Sequence, residues 1–175
     1  MKKIIIDTET TGLLDNDELL QVSILSYDGE ILFNEYIKPT RKKKWTKAQT
    51  IHGISPEMVQ DCKTFRHYKK QIQEIIDSAD MIIGYNTYFD LSFLESKGIE
   101  IPNSTTIYDV MEVFAEIYGE WNDYFEDYKW QKLTTCARYY DYKWDQDAHN
   151  ALGDCKATLF CYKKITEEGD TESVA

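Results

Sequence analysis

Residues 4–10 read IIIDTET, three isoleucines that run without a break into Asp7 and Glu9. β-Branched side chains suit a pleated, packed strand, so this run predicts a buried strand near the middle of a sheet. A carboxylate has no place there unless something holds it, because burying an uncompensated charge is costly. Side chains two positions apart share a face of a strand, and at ~3.3 Å per residue the Cα atoms of Asp7 and Glu9 stand roughly 6–7 Å apart. Both can therefore reach one cation, or a close pair. Taken alone, a D-x-E at a strand end is more often an ordinary polar turn, so the rest of the chain has to decide.

Outward from this strand, ELLQVSILSYDGEILFNEYIKP (18–39) gives two alternating apolar segments around Asp28 and Gly29, a β-hairpin. RKKKWTKAQTIHGI (41–54) reads as a polar connector. SPEMV then opens a helix, with Ser55 as N-cap and Pro56 at its first position, and 64–80 place Phe65, Tyr68, Ile72, Ile75 and Ile76 at helical spacing. MIIGYN is a strand, TYFDLSFLESKGI a helix closed by Gly98, and TTIYDV another strand. The remainder reads as helical apart from a loop around GEWNDY, with a last helix in HNALGDCKATLFCYKKI and a fraying end beyond it. Hairpin first and β/α alternation afterwards predict a mixed sheet with helices on its faces.

The 175 residues, 42% of them hydrophobic, suffice for one domain with a single sizeable core. No charged and apolar leader opens the chain, and no apolar stretch approaches the ~18 residues of a bilayer span. A soluble, cytoplasmic protein without membrane contact is expected. Cys62, Cys136, Cys155 and Cys161 make no CxxC pair and no metal-ligand spacing with the three histidines, which speaks for reduced thiols over a zinc site or disulfide scaffold. A formal net charge of −11 disfavours a grip on long nucleic acid through many phosphate contacts, yet leaves room for a polyanion held through metal ions.

Two further acids tip the balance for Asp7 and Glu9. In GYNTYFDLSFL, Asp90 lies early in a helix directly after a strand, at the same kind of sheet edge; alone it would be a first-turn partner for the helix dipole. In HNALGDCKAT, Asp154 lies on the flank of a stripe formed by Leu152, Cys155, Leu159 and Tyr162. His149 would diverge from Asp154 by roughly 140° if both were helical. It therefore belongs just before the helix, with Asn150 near the cap, where a mobile imidazole beside an anchored carboxylate suits general-base chemistry. Four carboxylates at one site cannot all stay ionised without positive charge, because like charges a few ångströms apart raise each other's pKa. Oxygen-only ligands favour hard cations such as Mg²⁺ or Mn²⁺ over zinc. Two such ions ~3.5–4 Å apart can stabilise the attacking and the leaving oxygen in displacement at phosphorus.

DTETTG (7–12), NTYFD (86–90) and HNALGD (149–154) closely resemble, in order, the three exonuclease motifs of the DEDD superfamily. The spacing from His149 to Asp154 resembles its histidine-bearing branch, which includes DNA polymerase III epsilon subunits and RNase T. The likeness runs from Lys2 to about Ile165. It implies an α/β, RNase H-like fold, a central mixed sheet of three antiparallel strands followed by β/α alternation, flanked by helices. It implies one exonuclease domain over 1–166, with 167–175 as a fraying tail. The implied activity is 3′→5′ hydrolysis of single-stranded or frayed DNA or RNA to nucleoside 5′-monophosphates. Asp7, Glu9, Asp90 and Asp154 would bind two Mg²⁺ or Mn²⁺ ions, and His149 would take the proton of the attacking water. For substrate binding, Thr10 and Leu13 match positions at the terminal nucleotide, Leu13 by wedging against its base; Phe89 would pack near the same nucleotide, Asn86 would orient the loop or the ligands, and IHGI puts His52 near the sugar or phosphate, with a structural histidine the equal alternative. The implied partners are 3′ ends, with a DNA polymerase as a further candidate.

Some features stand outside these motifs. The run Arg41–Lys44 is most often a solvated loop, guidance of phosphates being the rarer reading. EIYGEWNDYFEDY (116–128) interleaves acids with aromatics, which suits a docking surface or a plain connection equally. Asp109 matches no acid of the motifs and reads as a cap, while His67 reads as solvated. Cys155 follows the last acid where relatives commonly carry Ala. The alternatives to an exonuclease are a degenerate binding module of the same fold, disfavoured because no acid is missing, and a phosphatase with Asp7 as nucleophile.

Overall fold

The computed structural model describes residues 1–144 and 150–172, so His149 lies outside the described residues. The chain begins with β1 (Lys3–Thr10), β2 (Leu19–Ser26) and β3 (Ile31–Tyr36), followed by α1 (Thr46–His52), α2 (Pro56–Val59) and α3 (Phe65–Asp77). It continues as β4 (Met81–Gly84), α4 (Thr87–Ser96), β5 (Thr106–Asp109) and α5 (Val110–Tyr118). A short hairpin of β6 (Trp121–Asn122) and β7 (Asp127–Tyr128), then α6 (Leu133–Tyr139) and α7 (Ala151–Glu172), complete the order. The main sheet has the order β3-β2-β1-β4-β5. Its β3-β2-β1 half is antiparallel and its β1-β4-β5 half parallel, as the hairpin-then-alternation pattern requires.

β1 is the central strand, and Ile4, Ile5 and Ile6 are wholly buried because both faces of the sheet are covered. On one face Ile4 and Ile6 pack against Ile72 and Ile76 of α3 and Leu91 and Leu94 of α4. On the other, Ile5 packs against Phe114 of α5, Ala137 of α6, and Cys155 and Leu159 of α7. A third, small core of Leu20, Trp45, Ile54 and Val59 ties down the segment between β3 and α3. Leu20, which joins this core, is the residue skipped where the β1–β2 pairing shifts register between Glu9 and Thr10, the local disruption a bulge produces.

Most sequence expectations are met, including Ser55 as the cap of α2, whose hydroxyl accepts from the Met58 N–H, and Asp109 as a cap, accepting from Met111 N–H. Differences are instructive. The expected polar connector contains α1, a helix that buries no residue and has no side-chain cap at its start, so it lacks the apolar stripe and the start signal that reveal a helix in sequence, and only its end is marked, by His52 and Gly53. The expected loop around GEWNDY is the β6–β7 hairpin, largely exposed and too short to alternate. α7 runs to Glu172, past the Ile165 at which the sequence pattern ends.

Candidate active site

Alternation along β1 sorts its last residues onto two faces. Asp7 and Glu9 share the side of Ile5, toward α7, while Thr8 shares the side of Ile4 and Ile6, toward α4. Asp154 lies in the first turn of α7. That turn is held by the Asn150 side chain, whose Oδ1 accepts from the Leu152 N–H at 3.0 Å, and by Gln21 of β2, whose Oε1 accepts from the Ala151 N–H at 3.4 Å. As a result Asp7, Glu9 and Asp154 each offer a carboxylate oxygen within 4.8 Å of the others.

Asp90 comes from the opposite face, in the first turn of α4. Its Oδ1 accepts both the Thr8 N–H at 2.8 Å and the Thr8 hydroxyl at 2.6 Å. Thr8, which stands between the two motif acids of β1, thus ties the fourth carboxylate to the strand that carries the first two. The start of α4 is fixed by Asp109, whose carboxylate accepts from the Asn86 and Thr87 N–H groups at 2.9 and 2.7 Å. Asn86 itself has φ of 64°, the left-handed conformation that asparagine tolerates better than most side chains.

The electrostatics are those of an acid cluster short of positive charge. Burial, then the charges of Asp90, Asp154 and Glu9, push the Asp7 carboxyl well above its usual range. Burial, then Asp154 and Asp90, push Glu9 up to about 8. Burial lifts Asp90 to about 7, against the two Thr8 hydrogen bonds that pull it down. Among the described residues, Asp7, Glu9 and Asp90 form no ion pair. An all-oxygen donor set whose ionisation is held back by burial and mutual repulsion, and which positive charge would favour, fits divalent cations.

Glu9 also lines a cavity of about 640 Å³ whose wall includes Thr10, Leu13, His52 and Phe89, four of the five residues expected at the terminal nucleotide. Leu13 is 80% exposed at its rim, and Phe89 packs on Phe93 with ring centroids 5.0 Å apart. The Thr10 hydroxyl donates to the Gly12 carbonyl at 2.6 Å. His52 is engaged on both nitrogens: Nδ1 accepts the Ile54 N–H at 3.0 Å, which leaves Nε2 to donate to the Thr10 carbonyl at 3.1 Å. The imidazole thereby joins the end of α1 to the end of β1. Leu14 and Lys47, neither of them part of a motif, and Ile51 of the IHGI segment also line the cavity. The latter two sit on α1, which the sequence hides.

The Exonuclease family model matches residues 4–162. The chain belongs to the exonuclease family. This exonuclease is 32% identical over 176 residues to the uncharacterized exonuclease CP81 of Escherichia phage 186, covering 95% of this chain and 89% of the phage protein. It is 25% identical to the DNA polymerase III subunit epsilon of Escherichia coli strain K12, over 94% of this chain and 71% of that one. Among solved structures it resembles exonuclease X in complex with 5′ overhanging duplex DNA, with a TM-score of 0.73 at 20% identity, covering 95% and 92% of the two chains. The exonuclease therefore has the RNase H-like fold that its motifs implied.

Proposed function

We propose that this exonuclease removes nucleotides one at a time from the 3′ ends of single-stranded or frayed DNA or RNA, releasing nucleoside 5′-monophosphates. The observation that carries this reading is that Glu9 belongs both to the acid cluster and to the cavity wall, which supports a terminal base and sugar seated in the cavity beside the charge chemistry. Asp7, Glu9, Asp90 and Asp154 would hold two divalent ions, Mg²⁺ or Mn²⁺. When bound, such ions supply the positive charge that the acids lack and stabilise the oxygens entering and leaving phosphorus. The chain does the rest. Leu13 and Phe89 seat the terminal nucleotide, Thr8 keeps Asp90 turned toward the cluster, and Thr10, Asn86 and His52 shape the surrounding backbone. His149, placed by its motif just ahead of α7, accepts the proton of the attacking water. Water adds to phosphorus, the bond to the preceding O3′ breaks, and that oxygen becomes the new 3′ hydroxyl.

The test is a 3′-labelled oligonucleotide, as DNA and as RNA in parallel, incubated with Mg²⁺ or Mn²⁺, with EDTA and with His149→Ala. Metal-dependent release of labelled mononucleotides that His149→Ala reduces at least 100-fold, about the lower bound for a lost general base, supports the reading. No release from either polymer would sink it and favour the binding module.

A further inference from the structure

On the reading just proposed, we infer that the strand upstream of the terminal nucleotide runs over a basic path that leaves the active-site cavity at Trp45 and ends in a separate anion-binding groove. Three cavities share walls in sequence. The active-site cavity, with Lys47 on its wall, meets a second cavity of about 210 Å³ at Trp45, and this one carries Lys43, the Asp17-paired Lys42 and one acid, Glu57. Lys38 and Pro39 are then common to the second cavity and to a third of about 480 Å³.

The third cavity is a groove at the β2 and β3 ends nearest the acid cluster, since Leu19 pairs with Thr10 and Tyr36 with Gln21. Its floor is apolar, from Leu19, Ile37, Pro39 and Phe65, and its rim holds Lys38, Arg66, Lys69 and Lys97. Among the described residues none of these four cations forms an ion pair; the Lys38 ammonium donates to the neutral Gln60 carbonyl. Lys69 lies against Gly98, where a Cβ would come within 2.6 Å of its ammonium, so the absence of a side chain makes room for it.

Among the described residues, Glu18 is the one acid lining the groove, and its oxygens are already engaged. Both accept from the chain opposite: Oε1 from the N–H and hydroxyl of Thr40, Oε2 from the N–H groups of Arg41 and Lys42, all at 2.8–2.9 Å. Asp17, on the active-site side, is likewise taken by the Lys42 ammonium at 3.0 Å. Four cations without an acid partner on an apolar floor, in a chain of net charge −11, are the recognition chemistry for a flexible polyanion whose sugars and bases also carry apolar faces.

The experiment compares wild type with Arg66→Ala/Lys69→Ala/Lys97→Ala on a dinucleotide and on an oligonucleotide of about 12 nucleotides, within the roughly 4–16 that a single-strand groove tracks. Steady-state cleavage is read with Mg²⁺. Fluorescence anisotropy of the longer oligomer in EDTA reads binding without turnover, across a salt series. The expected result is a KM for the long substrate raised about 10-fold at unchanged kcat and dinucleotide cleavage unaltered. The logarithmic salt dependence of binding should become shallower by about 0.7 for each phosphate that the substitutions leave unneutralised. Equal effects on both lengths, or none on either, would overturn the path. Cations that merely offset the negative end of α4 would show as lower thermal stability with the long-to-short ratio intact, which also overturns it. Should wild type cleave nothing, the activity proposal fails by itself, and the anisotropy series still decides whether the groove binds the strand.

Discussion

Thr8 shows how much of this site rests on a residue that performs no chemistry. It donates twice to Asp90, and hydrogen bonds to a charged acceptor are worth about 1.5–3 kcal/mol each. Thr8→Val keeps the shape and the backbone donor but removes the hydroxyl, so turnover should fall on the order of 10-fold with circular dichroism unchanged; wild-type kinetics in the variant would show that Asp90 needs no such anchor. Glu18 gives a prediction in pH. Burial alone would raise its carboxyl, yet the donors from Lys42, Thr40 and Arg41 outweigh that and hold it at about 2, against an ordinary 4.5. A lowered folded-state pKa adds stability that is complete above about 4.5 and drains away as pH falls toward 2. Glu18→Gln should therefore be less stable than wild type at pH 7, by on the order of 2 kcal/mol after allowance for solvent screening, and the two stability curves should converge in acid. A constant gap across that range would refute the clasp as the cause.

At the level of elements, the decisive one is β1: one face gathers Asp7 and Glu9 with Asp154 within 4.8 Å, while Asp90, outside that group, is tied to the other face through Thr8 and acts on Asp7 through its charge. Asp7 and Glu9 look toward α7 and Thr8 toward α4, so helices that never share a face both contribute a carboxylate. Beyond β1, the 11–18 loop that displays Leu13 is knotted by Asp17, which accepts from the Thr11 hydroxyl at 2.8 Å and the Leu14 N–H at 3.0 Å. Gly12 is what allows the knot: a Cβ there would lie 2.4 Å from Asp17 Oδ2. Gly12→Ala should loosen the loop, with overpacking of this kind destabilising by about 1–3 kcal/mol, and raise KM several-fold with little change in kcat. Kinetics of the purified variant check this; an unaltered KM would mean that the Leu13 loop does not seat substrate. The motif acids on β1 and α4 were legible because alternation and helix starts leave a periodic trace. α1 left none, since it buries no residue, and with it the cavity wall at Lys47 stayed out of view.

For the whole molecule, the fold stands on apolar cores apart from the acid cluster, so cations should add to stability without being needed for it. Saturating Mg²⁺ or Mn²⁺ should raise the melting temperature, by an amount corresponding to about 2.7 kcal/mol at 100 times Kd, and EDTA should return it to a folded baseline. Asp7→Asn should abolish both the shift and cleavage while remaining folded; a variant that still gains stability from the ions would place them elsewhere. No helix among the described residues is long and apolar enough to cross a membrane. What the sequence by itself determined is the succession of strands and helices that makes a mixed sheet, the family written in three spaced motifs, and the identity of the acids, because these follow from local periodicity and from chemistry that tolerates few residue types. Only the tertiary structure decided that Thr8 holds Asp90, that Glu18 and Asp17 bind the basic loop, that His52 joins α1 to β1, and that Arg66, Lys69 and Lys97 share a groove. Each of these depends on segments distant in the chain coming within hydrogen-bonding or electrostatic reach, and no local pattern encodes that proximity.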